Sequence, residues 1–400
     1  MKTGLYLHIP FCRSRCSYCD FNTYVGLNDL FEPYVRALQQ EIRALRAWPL
    51  LSARPAHTIF FGGGTPSLLK PQWIGDLIRT CRATFDMPPG GEVTVECNPG
   101  TAGADYLRGL HGQGVNRLSF GAQSADPVEL KLLGREHAFA DVSAAMNAAR
   151  AAGFDSVNLD LIFGLPYQTL ETWQRSMDAA LALQPDHVSL YALTIEQGTP
   201  MYDWTRRGEV PYPDPDAAAD MYDFAEQAMG DAGFSHYEIS NWCKPGRACE
   251  HNLIYWRNEP YFGFGAGAHS SSIQRRWWNV RRPADYVARI QRGQSVEMGH
   301  EDIDPPISRG ETMMMGLRLL EEGVSPARFA ARYGAPLEQF YAAELREGAQ
   351  RGLLDVNKTR VRLTERGHFL SNQALMLFVA DPQRVYDQGQ GRRQSHGVSE

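Results

Sequence analysis

The sequence predicts an α/β fold, a partial (β/α)6 TIM-like barrel followed by a smaller C-terminal winged-helix-like domain. Three observations predict it. Six short apolar runs alternate with segments of helical spacing between residues 5 and 194. Polar or glycine-rich residues follow each of these runs. From about residue 305 the pattern changes to helices followed by a hairpin.

The six apolar runs have the length and residue types of buried β-strands. They occupy residues 5–11, 58–61, 93–96, 117–120, 157–163 and 188–194. Between them, apolar residues recur every three or four positions from 35 to 45, and segments 144–152 and 172–183 are rich in alanine and leucine. Strands that alternate with helices of this length pair in parallel through crossovers. Six such units favour an open or partial barrel over a doubly wound sheet.

Chemically active side chains cluster where each predicted strand ends. A cysteine-rich loop follows the first strand, Gly-Gly-Gly-Thr-Pro at 62–66 the second, and Glu-Cys-Asn-Pro at 96–99 the third. Gly-Ala-Gln at 121–123 follows the fourth, Asp160 lies in the fifth, and Thr194 closes the sixth. In a parallel barrel the carboxyl ends of the strands converge on one face, where active sites form. We therefore expect these residues to line a single mouth.

The domain boundaries follow from these changes of pattern. We place the barrel at residues 1–235, a linker or extension at 236–304, the C-terminal domain at 305–380 and a disordered polar tail at 381–400. In the C-terminal domain Ser325-Pro326 is a good helix start, and residues 337–350 form a second helix. Residues 353–356 and 361–363 then predict a β-hairpin.

Composition excludes several classes of protein. The chain carries 40 basic and 46 acidic side chains, a net charge of −6, which gives no strong electrostatic footprint for nucleic acid. Seven cysteines in 400 residues are too sparse for a disulfide scaffold, and their number is odd. No apolar run approaches the ~18 residues of a membrane span, and His8 interrupts the first run, unlike in a signal peptide. We therefore expect a cytoplasmic protein.

Three of the cysteines, Cys12, Cys16 and Cys19, fall within eight residues on one predicted loop. Structural zinc sites use four ligands, commonly as two pairs, whereas iron–sulfur clusters are held by cysteine thiolates. Three thiolates on a four-iron cluster leave one iron open to an outside ligand. Two alternatives stay open at this point, namely three buried small apolar residues or a zinc ion completed by a distant residue. The clustering favours an iron–sulfur site.

The spacing Cys-x3-Cys-x2-Cys, with Tyr18 before the last cysteine, resembles the radical S-adenosylmethionine superfamily. The resemblance implies a partial (β/α)6 barrel with a 4Fe-4S cluster on the three cysteines. It also implies that the open iron binds S-adenosylmethionine through its methionine amine and carboxylate. The strand count reached above agrees with this fold.

The same resemblance implies a pocket for S-adenosylmethionine. Gly63, Gly64 and Thr65 match the superfamily's glycine-rich segment near the methionine amine, since residues without side chains let the backbone approach a ligand. Arg135 can hold a carboxylate through a bidentate fork. The remaining implied contacts are Tyr6, Tyr18, Glu96, Gln123 and Asp160, the last two suited to ribose hydroxyls. Taken singly, such polar residues are more often structural or surface groups.

Two segments place the chain in the branch of the superfamily that includes oxygen-independent coproporphyrinogen III oxidase. That enzyme's loop resembles C-x3-C-x2-C-x-C, but Phe21 stands at the fourth position here. Cys-Asp-Phe-Asn at 19–22 and His-Asn-Leu-Ile-Tyr-Trp at 251–256 instead resemble the HemW family of haem chaperones. In that family the HNxxYW signature is associated with haem, which implies haem contacts at His251, Asn252, Tyr255 and Trp256.

Other interpretations of the same region stay open. A histidine beside aromatic residues is more often a core residue, and Cys243 and Cys249 with His251 could form a zinc site. His8, inside the predicted mouth, is a further candidate for contact with substrate or haem. Residues 263–268 fit the dinucleotide fingerprint G-x-G-x-x-A, but the residues before them are turn-like rather than a strand. We therefore reject dinucleotide binding.

The resemblance implies a haem chaperone that binds a 4Fe-4S cluster, S-adenosylmethionine and haem, and passes haem to acceptor proteins of the respiratory chain. The alternative is an enzyme, the oxygen-independent coproporphyrinogen III oxidase, but Phe21 and the HNxxYW segment favour the carrier. A nucleic-acid-binding regulator is a third interpretation, disfavoured by the net charge of −6 despite Arg360, Arg362 and Arg366 near the hairpin. Turnover of S-adenosylmethionine, peripheral membrane association and homodimerisation stay open.

Overall fold

The computed structural model describes residues 1–45 and 55–379, so the tail predicted to be disordered lies outside the described residues. The chain forms two compact units. The barrel unit comprises Met1–Ser235, Ser240–Ile254 and Glu259–Glu301. The C-terminal unit comprises His236–Ile239, Tyr255–Asn258 and the chain from Asp302 onward. The segment 236–304 is thus divided between the two, with most of it in the barrel unit.

Six parallel strands form the centre of the barrel unit. The strands of the described chain are β1 (Gly4–Ile9), β2 (Phe11–Cys12), β3 (Tyr24–Val25), β4 (Thr58–Gly63), β5 (Glu92–Cys97), β6 (Arg117–Gln123), β7 (Val157–Phe163), β8 (His187–Ala192), β9 (Ser235–Glu238), β10 (Asn241–Cys243), β11 (Tyr261–Phe264), β12 (His269–Ser271), β13 (Arg275–Asn279), β14 (Glu297–Asp302), β15 (Leu354–Val356) and β16 (Val361–Leu363). Strands β1, β4, β5, β6, β7 and β8 are neighbours in that order, each parallel to the next. They overlap the six predicted runs, although the first run extends into β2 and the last extends two residues beyond β8.

Helices connect these strands, and several begin where a capping side chain precedes a proline. Up to residue 301 they are α1 (Phe31–Ala44), α2 (Pro71–Thr84), α3 (Ala104–Gly112), α4 (Pro127–Leu132), α5 (Phe139–Ala151), α6 (Leu170–Ala182), α7 (Pro200–Arg206), α8 (Pro215–Asp231), α9 (Glu250–Trp256) and α10 (Pro283–Gln291). Asp126, Thr199 and Asp214 each accept a hydrogen bond from a backbone N–H of the first turn of α4, α7 and α8. Proline suits the next position, because its missing N–H would have no partner there.

Side chains of the parallel strands alternate between two environments. Leu5, Leu7 and Ile9 of β1 are fully buried and share one apolar core with residues of α1. Since successive side chains of a strand point to opposite faces, Tyr6 and His8 point into the barrel. The barrel interior is therefore lined by polar groups while the outer face of the strands packs on helices.

Residues 240–301 extend the sheet on both sides. Strand β10 pairs antiparallel with β8, and β11 pairs in parallel with β1. Strands β12, β13 and β14 follow β11 outward in that order. The glycine-rich segment 263–268 is therefore followed by the strand β12 rather than by a helix, and the βαβ unit that a dinucleotide site requires does not form there.

The C-terminal unit has its own apolar core, which includes Met313 and Phe329. Its helices are α11 (Pro305–Gly316), α12 (Pro326–Tyr333), α13 (Leu337–Gln350), α14 (Glu365–Phe369) and α15 (Ser371–Met376). The predicted helix start is confirmed, since Ser325 Oγ accepts the N–H of Arg328 at 3.3 Å. The predicted hairpin is confirmed as the antiparallel pair β15–β16. Within the described residues, none of the helices combines the length and the apolar character needed to cross a membrane.

Candidate functional site

The three clustered cysteines lie at the carboxyl edge of the parallel strands. Cys12 ends β2, directly after β1, and Cys16 and Cys19 lie in the loop before β3. All three are partly exposed, whereas the other four cysteines are buried. In the described structure their sulfur atoms do not all come within 4.8 Å of one another, while thiolates on one tetrahedral zinc ion stand about 3.8 Å apart. Three partly exposed thiols on one loop are available to an inorganic group here.

Arg135 connects the cysteine loop to β6. Its Nη1 donates to Cys16 Sγ at 3.4 Å, and its Nη2 donates to the carbonyl oxygen of Gly121 at 2.8 Å. Its Nε–H is buried and has no hydrogen-bond partner within the described chain. On the other side of the loop, Thr65 Oγ1 donates to Cys12 Sγ at 3.6 Å. A buried guanidinium donor without a partner beside the cysteines suits a carboxylate from outside the protein.

Burial governs the protonation of this loop. It raises the pKa of the Cys12 thiol and raises that of Cys19 to about 11. Burial also raises the pKa of the Tyr18 phenol, which therefore stays neutral at pH 7. Because the thiolate is the form that binds metal, loading a cluster must release protons from these cysteines.

The glycine-rich segment ends β4 in a space that no side chain would fit. Gly63 has a φ of +113°, and a Cβ there would lie 2.4 Å from the ring of His8. A Cβ on Gly64 would lie 2.6 Å from the carbonyl oxygen of Phe11. Glycine is required at Gly63 on both conformational and steric grounds.

The backbone N–H groups of this segment are already used within the protein. The N–H of Gly63 donates to Glu96 Oε2 at 3.1 Å. Those of Gly64 and Thr65 donate to the carbonyl oxygens of Ile9 at 2.9 Å and Phe11 at 2.7 Å. A ligand at this segment would therefore meet carbonyl oxygens, which accept hydrogen bonds and suit an ammonium group.

A buried hydrogen-bond chain runs from the barrel interior to the cysteine loop. The Tyr6 hydroxyl donates to His8 Nδ1 at 3.0 Å, and His8 Nε2 donates to the carbonyl oxygen of Asn22 at 3.0 Å. Burial lowers the pKa of His8 to about 4, so its ring is neutral at pH 7 and these two bonds fix its tautomer. Both ring nitrogens are engaged, and in this arrangement His8 orients neighbours rather than offering a ligand atom to haem iron.

Two carboxyl groups lie close together inside the barrel. Burial and, to a lesser extent, the charge of Asp160 raise the pKa of Glu96 to about 8. Burial also raises the pKa of Asp160, although Ser119 Oγ donates to Asp160 Oδ2 at 3.0 Å. At pH 7 Glu96 is therefore largely protonated until a cation arrives beside it.

Sequence analysis missed the residue that holds Asp160 in place. Asn158 Nδ2 donates to Asp160 Oδ1 and to Ser119 Oγ, both at 2.7 Å. Its Oδ1 accepts from His187 Nδ1 at 2.6 Å and from Ser189 Oγ at 3.2 Å. The signal was present in the sequence, because polar residues occupy the alternate positions 158 and 160 of the otherwise apolar strand β7.

Gln123 ends β6 in the left-handed region, with a φ of +68°. The pairing with β7 shifts register between Gly121 and Gln123, which lets the chain turn its amide toward the mouth. Such backbone strain in a residue other than glycine is typical of ligand sites. Two groups of predicted site residues therefore lie together. Gln123 and Arg135 both lie beside Gly121. Tyr6 and Gly63 both lie beside Glu96.

The HNxxYW segment lies at the opposite end of the strands. It forms α9, in which His251 is 1% exposed. Its Nδ1 lies 2.7 Å from Thr58 Oγ1, and its ring stacks on Phe60 at 5.1 Å. A Cβ on Gly4 would lie 3.0 Å from this ring. Since Gly4 and Thr58 begin β1 and β4, His251 lies at the amino ends of the strands.

Glu92, the first residue of β5, fastens α9 to this end of the barrel. Its two carboxylate oxygens accept the N–H groups of Glu250 and His251, both at 3.0 Å. Burial lowers the pKa of His251 to about 3, so the ring is neutral. In this arrangement His251 is a core residue, and iron reaches it only if Phe60 and its other neighbours move. Haem ligation by His251 stays a prediction that this arrangement does not favour.

The signature is divided between the two units. Asn252 lies in the barrel unit, whereas Tyr255 and Trp256 belong to the C-terminal unit. The guanidinium of Arg318 lies 4.4 Å over the Trp256 ring. The zinc alternative is not supported either, since the ligand atoms of Cys243, Cys249 and His251 do not gather within 4.8 Å in the described chain.

Comparison with known proteins identifies two regions of the chain. Residues 6–180 match the Radical SAM superfamily, and residues 309–370 match the HemN C-terminal domain. The chain is 39% identical over 379 residues to the Mycobacterium tuberculosis protein named Heme chaperone HemW, covering 92% of this chain and 93% of that protein. It is 37% identical over 386 residues to the Bacillus subtilis protein of the same name, covering 95% and 100%.

Among solved structures, the chain resembles coproporphyrinogen III oxidase (HemN) from Escherichia coli. The TM-score is 0.80 at 23% identity, over 94% of this chain and 90% of that chain. This likeness shows the fold, and it confirms the predicted barrel with a C-terminal domain of the HemN type. The identities to the relatives above show the family. The chain belongs to the HemW family of the radical S-adenosylmethionine superfamily.

Proposed function

We propose that this protein is a haem chaperone. It holds a 4Fe-4S cluster on Cys12, Cys16 and Cys19, binds S-adenosylmethionine beside it, and delivers haem to acceptor proteins of the respiratory chain. The assignment of the cluster rests on three partly exposed thiols at the barrel mouth. Haem as the cargo is supported by the relatives named haem chaperones, which match over nearly the whole chain.

The residues present fit a cluster with one open iron. Three thiols are available, and Phe21 stands where a fourth cysteine would follow. Arg135 Nη1 and Thr65 Oγ1 already donate to the sulfur atoms of Cys16 and Cys12. Such donors stabilise thiolates and tune a cluster once it is bound.

The polar groups beside the cysteines suit a methionine zwitterion and a ribose. The unpartnered Arg135 Nε suits the carboxylate, while Glu96 and the carbonyl oxygens at 62–64 suit the ammonium group. Asp160, held by Asn158, suits the ribose hydroxyls. Bound together, the cluster and S-adenosylmethionine supply radical chemistry, and the protein supplies orientation and exclusion of water.

Decarboxylation of coproporphyrinogen III is the competing function. The likeness to HemN from Escherichia coli is one of fold and does not decide between the two. Phe21 favours the carrier, because the oxidase loop carries a fourth cysteine at that position. We also propose a cytoplasmic location, which keeps the seven cysteine thiols reduced.

Iron content tests the cluster. We expect Cys16→Ser, purified anaerobically, to lose most of its iron and its brown absorption. Cys81→Ala is the matched control, because Cys81 is buried in α2 away from the mouth, and it should keep the iron of the parent. A Cys16→Ser protein with the full iron content of the parent would show that the cluster assignment is wrong.

Incubation with coproporphyrinogen III tests the choice between carrier and enzyme. The cluster-loaded parent, given S-adenosylmethionine and a reductant, should form no vinyl product. Formation of that product at many turnovers per cluster would show that the protein is the oxidase and not a carrier.

A further inference from the structure

Residues 263–268 end β11 and lead into β12 through a glycine-rich turn. They fit the dinucleotide fingerprint in sequence, but a strand and not a helix follows them. Gly265 and Gly267 lie in the left-handed region, with φ of +101° and +76°. Glycine is favoured there because it has no Cβ, and it also lets the backbone approach other groups closely. Residues 265–267, the glycine turn, therefore have the geometry of a contact point for a neighbouring segment.

Buried side chains hold the glycine turn from inside the barrel unit. The N–H of Gly265 donates to Glu41 Oε2 at 2.9 Å, and the N–H of Ala266 donates to the Tyr34 hydroxyl at 2.8 Å. Tyr34 is fully buried and donates in turn to the carbonyl oxygen of His8 at 2.9 Å. A Cβ on Gly265 would lie 2.5 Å from the Tyr34 hydroxyl, so a larger residue would not fit there. The turn is therefore fixed by hydrogen bonds and by close packing.

Asn22 of the cysteine loop packs against this turn. Its Nδ2 donates to the carbonyl oxygens of Ala266 and Arg281, both at 3.0 Å. Its Oδ1 accepts from the Tyr24 hydroxyl at 3.1 Å. A Cβ on Gly267 would lie 2.4 Å from Asn22 Nδ2. Both donors and one acceptor site of the amide are thus used, and the glycine at 267 leaves the space that the amide occupies.

Asn22 fixes the cysteine loop just after its third cysteine. Earlier in the loop, the N–H of Ser17 donates to the carbonyl oxygen of Leu133 at 3.1 Å. Cys19 lies between these two anchors, and its own N–H donates within the loop to the carbonyl oxygen of Cys16 at 3.3 Å. The position of the Cys19 sulfur therefore depends on both anchors, of which Asn22 is three residues away in the chain.

The backbone of Asn22 also contacts the barrel interior. Its carbonyl oxygen accepts from His8 Nε2 at 3.0 Å. The His8 ring in turn fills the space beside Gly63, where a Cβ would lie 2.4 Å from it. Asn22 therefore joins the third cysteine to the glycine-rich segment that is proposed to contact S-adenosylmethionine.

We propose that Asn22 is a positioning residue for the cluster and for S-adenosylmethionine, and that the glycine turn is the base that holds it. With the amide in place, the cysteine loop holds Cys19 and the His8 ring in one geometry before a cofactor binds. Such preorganisation strengthens binding, because less conformational freedom is lost when the ligand arrives. The inference rests on the proposed function, since it takes a 4Fe-4S cluster and S-adenosylmethionine as the bound groups.

Asn22→Ala removes the amide and tests the proposal. The full-length protein is reconstituted anaerobically, and its affinity for S-adenosylmethionine is measured by calorimetry at equal iron content. We expect the affinity to fall about tenfold, equivalent to about 1.4 kcal/mol, and the electron paramagnetic resonance spectrum of the reduced cluster to differ from that of the parent. Amide hydrogen exchange of residues 16–25 in the cluster-free variant should be faster than in the parent. A purely structural role would lower stability and leave the affinity and the spectrum unchanged.

Gly267→Ala disturbs the same contact from the other side. Gly246→Ala is the matched control, because Gly246 has a φ of +75° but nothing within 4 Å of a Cβ. Gly267→Ala should weaken S-adenosylmethionine binding, whereas Gly246→Ala should bind it as the parent does. In the Asn22→Ala background, Gly267→Ala should cause little further loss, because the clash with the amide is gone.

Circular dichroism equal to that of the parent confirms that each variant is folded. If Asn22→Ala does not fold, the comparison of Gly267→Ala with Gly246→Ala decides by itself. Folded variants at positions 22 and 267 that keep the S-adenosylmethionine affinity and the cluster spectrum of the parent would overturn this inference alone. A parent that holds no iron after reconstitution, or that binds no S-adenosylmethionine, would instead overturn the proposed function.

Discussion

Replacing Gly63 by alanine tests the link between the glycine-rich segment and the mouth of the barrel. Gly63 combines a φ of +113° with ring atoms of His8 at 2.4 and 2.5 Å from the position of a Cβ. The His8 ring cannot retreat freely, because Tyr6 holds its Nδ1 and the carbonyl of Asn22 holds its Nε2, each at 3.0 Å. The new methyl group must therefore break this chain or displace β4.

The expected cost has two parts. Holding alanine in that backbone region costs about 1–3 kcal/mol, and overpacking against a fixed ring costs about 1–3 kcal/mol. Gly90→Ala is the control, since Gly90 has a φ of +80° but nothing within 4 Å of a Cβ. It should lose only the backbone contribution of about 1–3 kcal/mol.

Urea unfolding of the cluster-free proteins measures the free energy of unfolding of the parent and of both variants. Gly63→Ala should lose more stability than Gly90→Ala and bind S-adenosylmethionine more weakly by calorimetry after the cluster is restored. Equal losses in the two variants, with unchanged binding, would refute the steric argument.

Three further predictions follow from buried polar groups. Burial raises the pKa of Glu41 from 4.5 to about 7, so the folded state keeps a proton that the unfolded chain releases. The stability that this group contributes is complete below pH 4.5 and is lost as pH rises through about 7. Glu41→Gln should remove this pH dependence of the thermal unfolding temperature. Asn158→Ala should weaken S-adenosylmethionine binding about tenfold by calorimetry at unchanged iron content, because Asp160 loses a donor at 2.7 Å and hydrogen bonds to charged groups contribute about 1.5–3 kcal/mol. His251→Ala should lower the free energy of unfolding by about 2–5 kcal/mol yet leave the Soret band of bound haem unchanged; lost haem binding at parental stability would instead support the HNxxYW segment as the haem site.

The parallel strands could be predicted because each is a continuous β-rich run in which the outward residues, such as Leu5 and Leu7, need burial against helices. The cysteine loop could be predicted because its three ligands are close in sequence and need no tertiary information. Strands β10 to β13 could not, because each has only three to five residues and is specified by pairing with a neighbour. Strand β10 pairs with β8, β11 with β1, β12 with β11 and β13 with β12.

The position of the HNxxYW segment in the fold could not be predicted from the sequence either. In the structure this segment forms the helix α9, and nothing in its sequence indicates at which end of the barrel that helix lies. Glu92 decides this by accepting two N–H groups of α9, and a single glutamate at the start of β5 gives no such signal in the sequence. Asn158, by contrast, could have been predicted as a site residue, because it is a polar residue in an apolar strand.

The central claim, that the chain carries haem to a protein acceptor, is tested most directly by transfer itself. The cluster-loaded protein is charged with one equivalent of haem, freed of excess by gel filtration, and mixed anaerobically with a haem-free subunit of a respiratory enzyme. The account predicts that the Soret band of the carrier decays as that of the acceptor grows, with one haem passed per carrier. Haem that is lost during gel filtration, or that stays on the carrier in the presence of the acceptor, would contradict it.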